Sequence, residues 1–150
     1  MSFNNELQRA VFARLKSFTP LTDLIAEFNG QPSIFFDSPQ NFNLNDRYIN
    51  IYEFIINADD TDNTDGFTCN FDVHTWSTDR SAIKIGNITQ QVYNALHRFN
   101  NILDGSNGLK SSGVYFVSLN IIKDGDGITK HAIQEFTVQF EPLVNYPECN

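Results

Sequence analysis

Apolar and polar positions alternate from Phe67 onward, with Phe67, Cys69, Phe71 and Val73 on one side and Thr68, Asn70, Asp72 and His74 on the other. That period of two predicts a half-buried strand, which runs into Thr75, Trp76 and Ser77. From Ile85 the period lengthens: Ile85, Ile88, Val92, Leu96 and Phe99 recur at three and four residues and fall on one stripe of an amphipathic helix. Between them, Ser77, Thr78, Asp79, Arg80 and Ser81 offer side chains able to cap the helix start. Residues 48–56 predict a second strand, whose alternating sets Tyr48, Tyr52, Phe54, Ile56 and Ile49, Ile51, Ile55 are both apolar, which implies cover on both faces. The interval before Phe67 carries Asp59, Asp60, Asp62 and Asp65, so the pair reads as a long hairpin with an acidic tip. Tyr115, Val117, Leu119 and Ile121 alternate in a third strand, Asp124, Gly125, Asp126 and Gly127 turn the chain, and a fourth strand ends at Pro142. In that last strand Ala132, Phe136, Val138 and Phe140 oppose His131, Glu135, Thr137 and Gln139, while Ile133 and Gln134 break the pattern.

Ahead of the first hairpin, Leu7, Val11, Phe12 and Leu15 mark a helix over residues 5–17. Pro20 opens a shorter helix with Leu21, Leu24 and Ile25, closed by Asn29 and Gly30. Residues 31–47 form a long connection in which Ile34, Phe35 and Phe36 suit a short edge strand, and residues 100–113 read as a flexible link. The resulting expectation is an α+β domain spanning residues 1–150, with a short C-terminal tail over 142–150. Its core would be a four-stranded antiparallel sheet of two hairpins, packed with an N-terminal helical pair and one amphipathic helix between the hairpins.

Composition narrows the function more than the fold. A chain of 150 residues buries about 68–70 % of its unfolded surface, enough for a core without staples. Fourteen Phe, five Tyr and one Trp supply it with large side chains. A mean hydropathy of −0.31 and the lack of a long apolar run exclude a membrane-spanning helix. Residues 1–6 lack the basic and apolar regions of a secretory leader, so a cytoplasm is the expected compartment. Cys69 and Cys149 make neither a disulfide framework nor a metal site and read as free thiols. The formal charge of −8 opposes binding to phosphate backbones, which rests on Lys and Arg.

Candidate chemistry is sparse. Asp60, Asp62 and Thr64 begin like a calcium loop, but Asp65 stands where Gly is needed and Phe71 where Glu is needed, leaving a solvated acidic loop. Cys69 and His74 are separated by an odd number along one strand and point to opposite faces. His97, near a helix end, suits the helix dipole, and His131 faces the polar side of its strand. No catalytic set, cofactor loop or metal-ligand spacing emerges, so the expectation is a protein without enzymatic activity. The surplus of apolar sheet surface points to cover by the N-terminal helices or a second subunit, with Phe42, Leu44 and Trp76 as candidate interface residues.

Val73, His74, Thr75, Trp76 and Ser77 at a strand end, a helix ending Ala95, Leu96, His97, and a last hairpin built on 117–122, Asp124 to Gly127, His131 and 136–140 together resemble one family. The chain is similar to the tail completion, or tail terminator, proteins of long-tailed bacteriophages and their prophage and gene-transfer relatives. Leu15 and the later Ile34, Phe35, Phe36 and Asp37 fit the family's order of elements; the loop from Asp59 to Asp65 and the tail after Pro142 depart from it. The resemblance implies a structural virion protein of the tail-neck region, assembled in the host bacterial cytoplasm. It implies a ring, commonly a hexamer, that caps the tail tube, stops its elongation and joins the tail to the head connector. Its partners would be itself, the tail tube protein and a head connector or neck protein, with no membrane and with DNA passing through the ring without specific binding. Asp59, Asp60, Asp62 and Asp65 would then be an acidic channel or docking loop. The alternatives are another neck ring such as a head completion protein, a non-viral α+β ligand-sensing domain, and a small hydrolase.

Overall fold

The computed structural model describes residues 2–62, 65–106 and 108–143. Helix α1, Phe3–Ser17, is capped by Ser2, whose hydroxyl accepts from the Asn5 N–H, and buries Leu7, Val11 and Leu15. One turn, α2 at Thr19–Thr22, follows with Pro20 in its first turn and Leu21 buried. The expected helix does not run on to Asn29 and Gly30; these two residues, at φ 52° and 78°, instead turn a small hairpin of β1, Glu27–Phe28, and β2, Gln31–Pro32. Two adjacent positive φ values are what a two-residue hairpin turn requires.

The main sheet overturns the four-stranded antiparallel expectation. It has five strands in the order β3-β4-β5-β7-β6: β3 is Ile34–Phe35, β4 Tyr48–Ala58, β5 Phe67–Ser77, β6 Leu109–Lys123 and β7 Lys130–Pro142. The sheet is mixed, because Ile34 and Phe35 pair in parallel with Ile49 and Asn50. The 36–47 connection is long enough to return the chain in the same direction, as a parallel pairing demands. The two predicted hairpins are present and are joined by a continuous antiparallel ladder between β5 and β7, from Phe67↔Phe140 to Ser77↔Lys130.

Helix α3, Ala82–Leu96, is capped by the Ser81 hydroxyl and buries Ile85, Ile88, Val92 and Leu96 as their spacing predicts. It ends before Phe99, because Arg98 takes the left-handed conformation at φ 61° and its N–H donates to the Val114 carbonyl. The residues that follow are pinned rather than loose: Ile102 and Leu103 are buried, and Ser111 bonds to the Leu103 backbone. Strand β6 accordingly begins at Leu109, inside the stretch expected to be a flexible link.

Helices α1 and α3 cover one face of the sheet, over Ile49, Ile51, Cys69, Phe71, Val73, Phe136, Val138 and Phe140. Arg14 ties the two helices, its Nε donating to the Ala95 carbonyl and its guanidinium lying 4.0 Å from the Phe99 ring centroid. Strand β4 carries a bulge: Tyr52 pairs with Asp72 and Ile55 with Asn70, so Glu53 and Phe54 together oppose Phe71. Glu53 has φ 63°. This extra residue resets the alternation and returns Phe54 to the helical side, stacked on Phe71 at 5.3 Å. The two apolar sets of β4 therefore record a change of phase, and not two covered faces.

Candidate functional site

Opposite the helices, the sheet presents Tyr48, Asn50 and Tyr52 from β4, Asp72, His74 and Trp76 from β5, and His131, Ile133 and Glu135 from β7. Rings stack across the strands. Trp76 lies 3.7 Å from His131 between centroids and 9° from parallel, with Tyr48 on the other side of Trp76 at 6.1 Å. His74 stacks on Tyr52 at 4.2 Å and meets His131 edge to edge, with centroids 4.9 Å apart. A hydrogen bond of 2.7 Å joins His74 Nδ1 to His131 Nε2.

Beside this stack stands a carboxylate cluster. The bulge at Glu53 brings its side chain to the Asp72 carboxyl, with which it shares a hydrogen bond, and Glu135 pairs with Asp72 across β7. Burial, with the hydrogen bond that the protonated Asp72 donates to Glu53 and the charges of Glu53 and Glu135, pushes Asp72 up to about 7. Burial and the neighbouring His131 push His74 down to about 4. Burial likewise lowers His131, against the pull of Asp124. His74 is thus neutral at pH 7, and its 4.0 Å approach to Asp72 is not an ion pair there. His74 is 5 % exposed, and its Nε2 has no hydrogen-bond partner among the described residues. One ligand atom each from Glu53, Asp72 and His74 lies within 4.8 Å of the other two, so these three residues have the reach to hold a metal ion.

The residues singled out from sequence fall in three places. Phe42 is buried, meeting Phe28, Phe35 and Tyr48 at centroid distances of 5.7, 5.1 and 5.1 Å. Leu44 projects into solvent at 57 % exposure. Trp76 sits on the face away from α3, so it does not cover the helix entry. The four Asp of the hairpin tip are all exposed; Asp60 accepts from the Gly66 N–H, and Asp59 accepts from Thr68 and Gln139 side chains. Thr64 of the calcium-like pattern and Cys149 lie outside the described residues. Cys69 and His74 occupy opposite faces, and burial pushes the Cys69 thiol up to about 12.

Sequence reading treated the three His as scattered, whereas the β5–β7 ladder brings His74 and His131 together. The signal was present in their shared polar-face parity, but it becomes a contact only once those strands are neighbours. At the end of α3, His97 accepts the Phe116 N–H at its Nδ1 at 3.1 Å and stacks its ring on Tyr93 at 4.6 Å.

A second notable surface is the free edge of β6, where Val117, Leu119, Ile121 and Ile122 are exposed on both faces of an outermost strand. No helix among the described residues is long and apolar enough to cross a membrane. No family model matches the chain, and no curated protein matches it in sequence. Among solved structures, the chain is similar to one in the virion of a native gene transfer agent particle, at 17 % identity and a TM-score of 0.79. The match covers 93 % of this chain and 99 % of that one, so the two share a fold over nearly their whole lengths.

Proposed function

We propose that this protein is a structural component of a phage-like virion, a tail terminator that forms a ring at the top of the tail tube and joins it to the head connector. The observation that carries the reading is the shared fold with a chain of a gene transfer agent virion, end to end in both chains. The sequence resemblance to tail completion proteins supports the finer assignment. The surface supports assembly: an outermost strand with apolar side chains on both faces, as in β6, invites a protein partner.

A closed ring of identical subunits needs two different, complementary patches on each. The sheet offers them at opposite edges, since four strand spacings of about 4.8 Å separate β6 from β3 by about 19 Å. On the β3 side lie exposed Phe36 and Leu44 and the buried Phe42, packed on Phe35, and Trp76 lies on β5 between the edges. We take a hexamer as the ring and the acidic hairpin tip as its channel or docking surface.

The test is electron microscopy of particles made with and without the chain. Loss of a terminator leaves tube growth unchecked, so tails of excessive and variable length are expected, with heads unjoined. Tails of normal length that fail to join heads would instead assign the chain to head completion. A single copy of the chain per particle at the neck would exclude the ring altogether.

A further inference from the structure

We propose that Glu53, Asp72 and His74 bind a divalent transition-metal cation, with zinc the best fit to their donor atoms. The inference goes beyond the virion reading and does not rest on it. Three observations meet at one point. The candidate ligand atoms lie within 4.8 Å of one another on the sheet face away from the helices. His74 is almost wholly buried, yet its Nε2 faces Asp72 Oδ2 at 4.0 Å with no hydrogen-bond partner among the described residues. A buried ring nitrogen left without a partner is costly unless something binds it.

The second nitrogen supplies the remaining piece. With its proton on Nδ1, His74 donates to His131 Nε2 at 2.7 Å, which leaves the Nε2 lone pair aimed at the carboxylates. Metal-bound imidazoles are held in this way, by a partner on the nitrogen that does not bind the metal. Tyr52 stacks on the ring of His74, His131 holds its Nδ1 edge, and Trp76 stacks on His131, so the donor is fixed before a cation arrives. Glu135, across from Asp72, adds negative potential.

Imidazole with carboxylates suits zinc and its neighbours, whereas magnesium and calcium prefer oxygen donors alone. Zinc bonds of about 2.0–2.2 Å place ligand atoms about 3.4 Å apart, so carboxyl movements of about 1 Å from the present positions complete the set. Three protein ligands leave a fourth position for water or a residue from another chain.

The experiment uses the full chain with Cys149→Ser, which removes a competing thiol, and titrates Zn²⁺ by calorimetry and by thermal melting. Saturable binding of one Zn²⁺ per chain with a raised Tm is expected, and Mg²⁺ or Ca²⁺ at the same concentration leaves Tm unchanged. Asp72→Asn and Glu53→Gln keep side-chain shape and hydrogen bonding; each should weaken Zn²⁺ binding at least tenfold while circular dichroism stays that of the parent. His74→Asn should abolish it, and if that variant fails to fold, the two carboxyl variants decide. The proposal is overturned by no saturable binding, by equal shifts from Mg²⁺ or Ca²⁺, or by full-strength Zn²⁺ binding in both folded carboxyl variants.

Discussion

At the scale of single residues, what was readable depended on whether a side chain's partner was local. Cys69 is a clear case: strand parity alone put it on the helical face, and the structure buries it completely. Its thiol, pushed up to about 12, stays protonated, so native protein with Cys149→Ser is expected to resist iodoacetamide at pH 8 and to react once unfolded. Mass spectrometry of native and denatured samples checks this, and rapid alkylation of the native form would contradict it. Gln134 broke the alternation in the sequence for a reason that lies elsewhere: its amide donates to the Thr89 carbonyl of α3 from a fully buried position. Trp76 was recognised as a structural residue, but its support comes from His131, some fifty positions later. Replacing Trp76 with Ala is expected to cost about 3 kcal/mol, the lower end for such truncations because the ring is only partly buried. Chemical denaturation measures it; a loss below about 0.5 kcal/mol, the range of an ordinary surface change, would show that the stack contributes nothing.

Among the elements, periodicity located α1, α3 and the four long strands, because each buries one face and therefore repeats its apolar residues at its own period. Two devices without a periodic signature escaped it. The hairpin turn at Asn29 and Gly30 was read as a helix end, since Asn followed by Gly serves both purposes. The bulge at Glu53 was read as a strand apolar on both faces, because one extra residue exchanges the two sets partway along. The base of the acidic hairpin shows what such local devices require. Asp59 and Gly66 close it through the Asp59 N–H donating to the Gly66 carbonyl, and a Cβ on residue 66 would stand 2.5 Å from the Asp59 oxygen. Gly66→Ala is expected to cost about 1–3 kcal/mol, as overpacking against backbone does, and to show first as faster amide exchange at Thr68 and Asp59. Hydrogen exchange indistinguishable from the parent would mean that the hairpin base shifts freely.

Across the whole molecule, the sequence conveyed an α+β chain with excess apolar surface, though part of that excess was the β4 phase change; the exposed remainder lies mainly along β6. Leu119→Lys with Ile121→Lys should leave the folded chain within about 0.5 kcal/mol of the parent, as exposed sites do, while abolishing its incorporation into particles. The charge distribution carries a separate expectation. The net charge of −8 is partly concentrated in Asp59, Asp60, Asp62 and Asp65, all exposed at one hairpin tip remote from the β6–β7 turn. In the proposed ring around a DNA conduit, an acidic lining repels phosphates and lets the duplex slide, whereas a basic one would hold it through counterion release. Changing all four Asp to Lys moves the formal charge from −8 to 0, and Asn at all four moves it halfway. If the tip lines the channel, the Lys variant should assemble normally and slow DNA ejection, with the delay shrinking as salt is raised because screening weakens phosphate binding. The Asn variant should fall between the two. Assembly by electron microscopy and ejection by dye release separate the outcomes: unchanged ejection with lost head joining would make the tip a docking element and remove it from the channel.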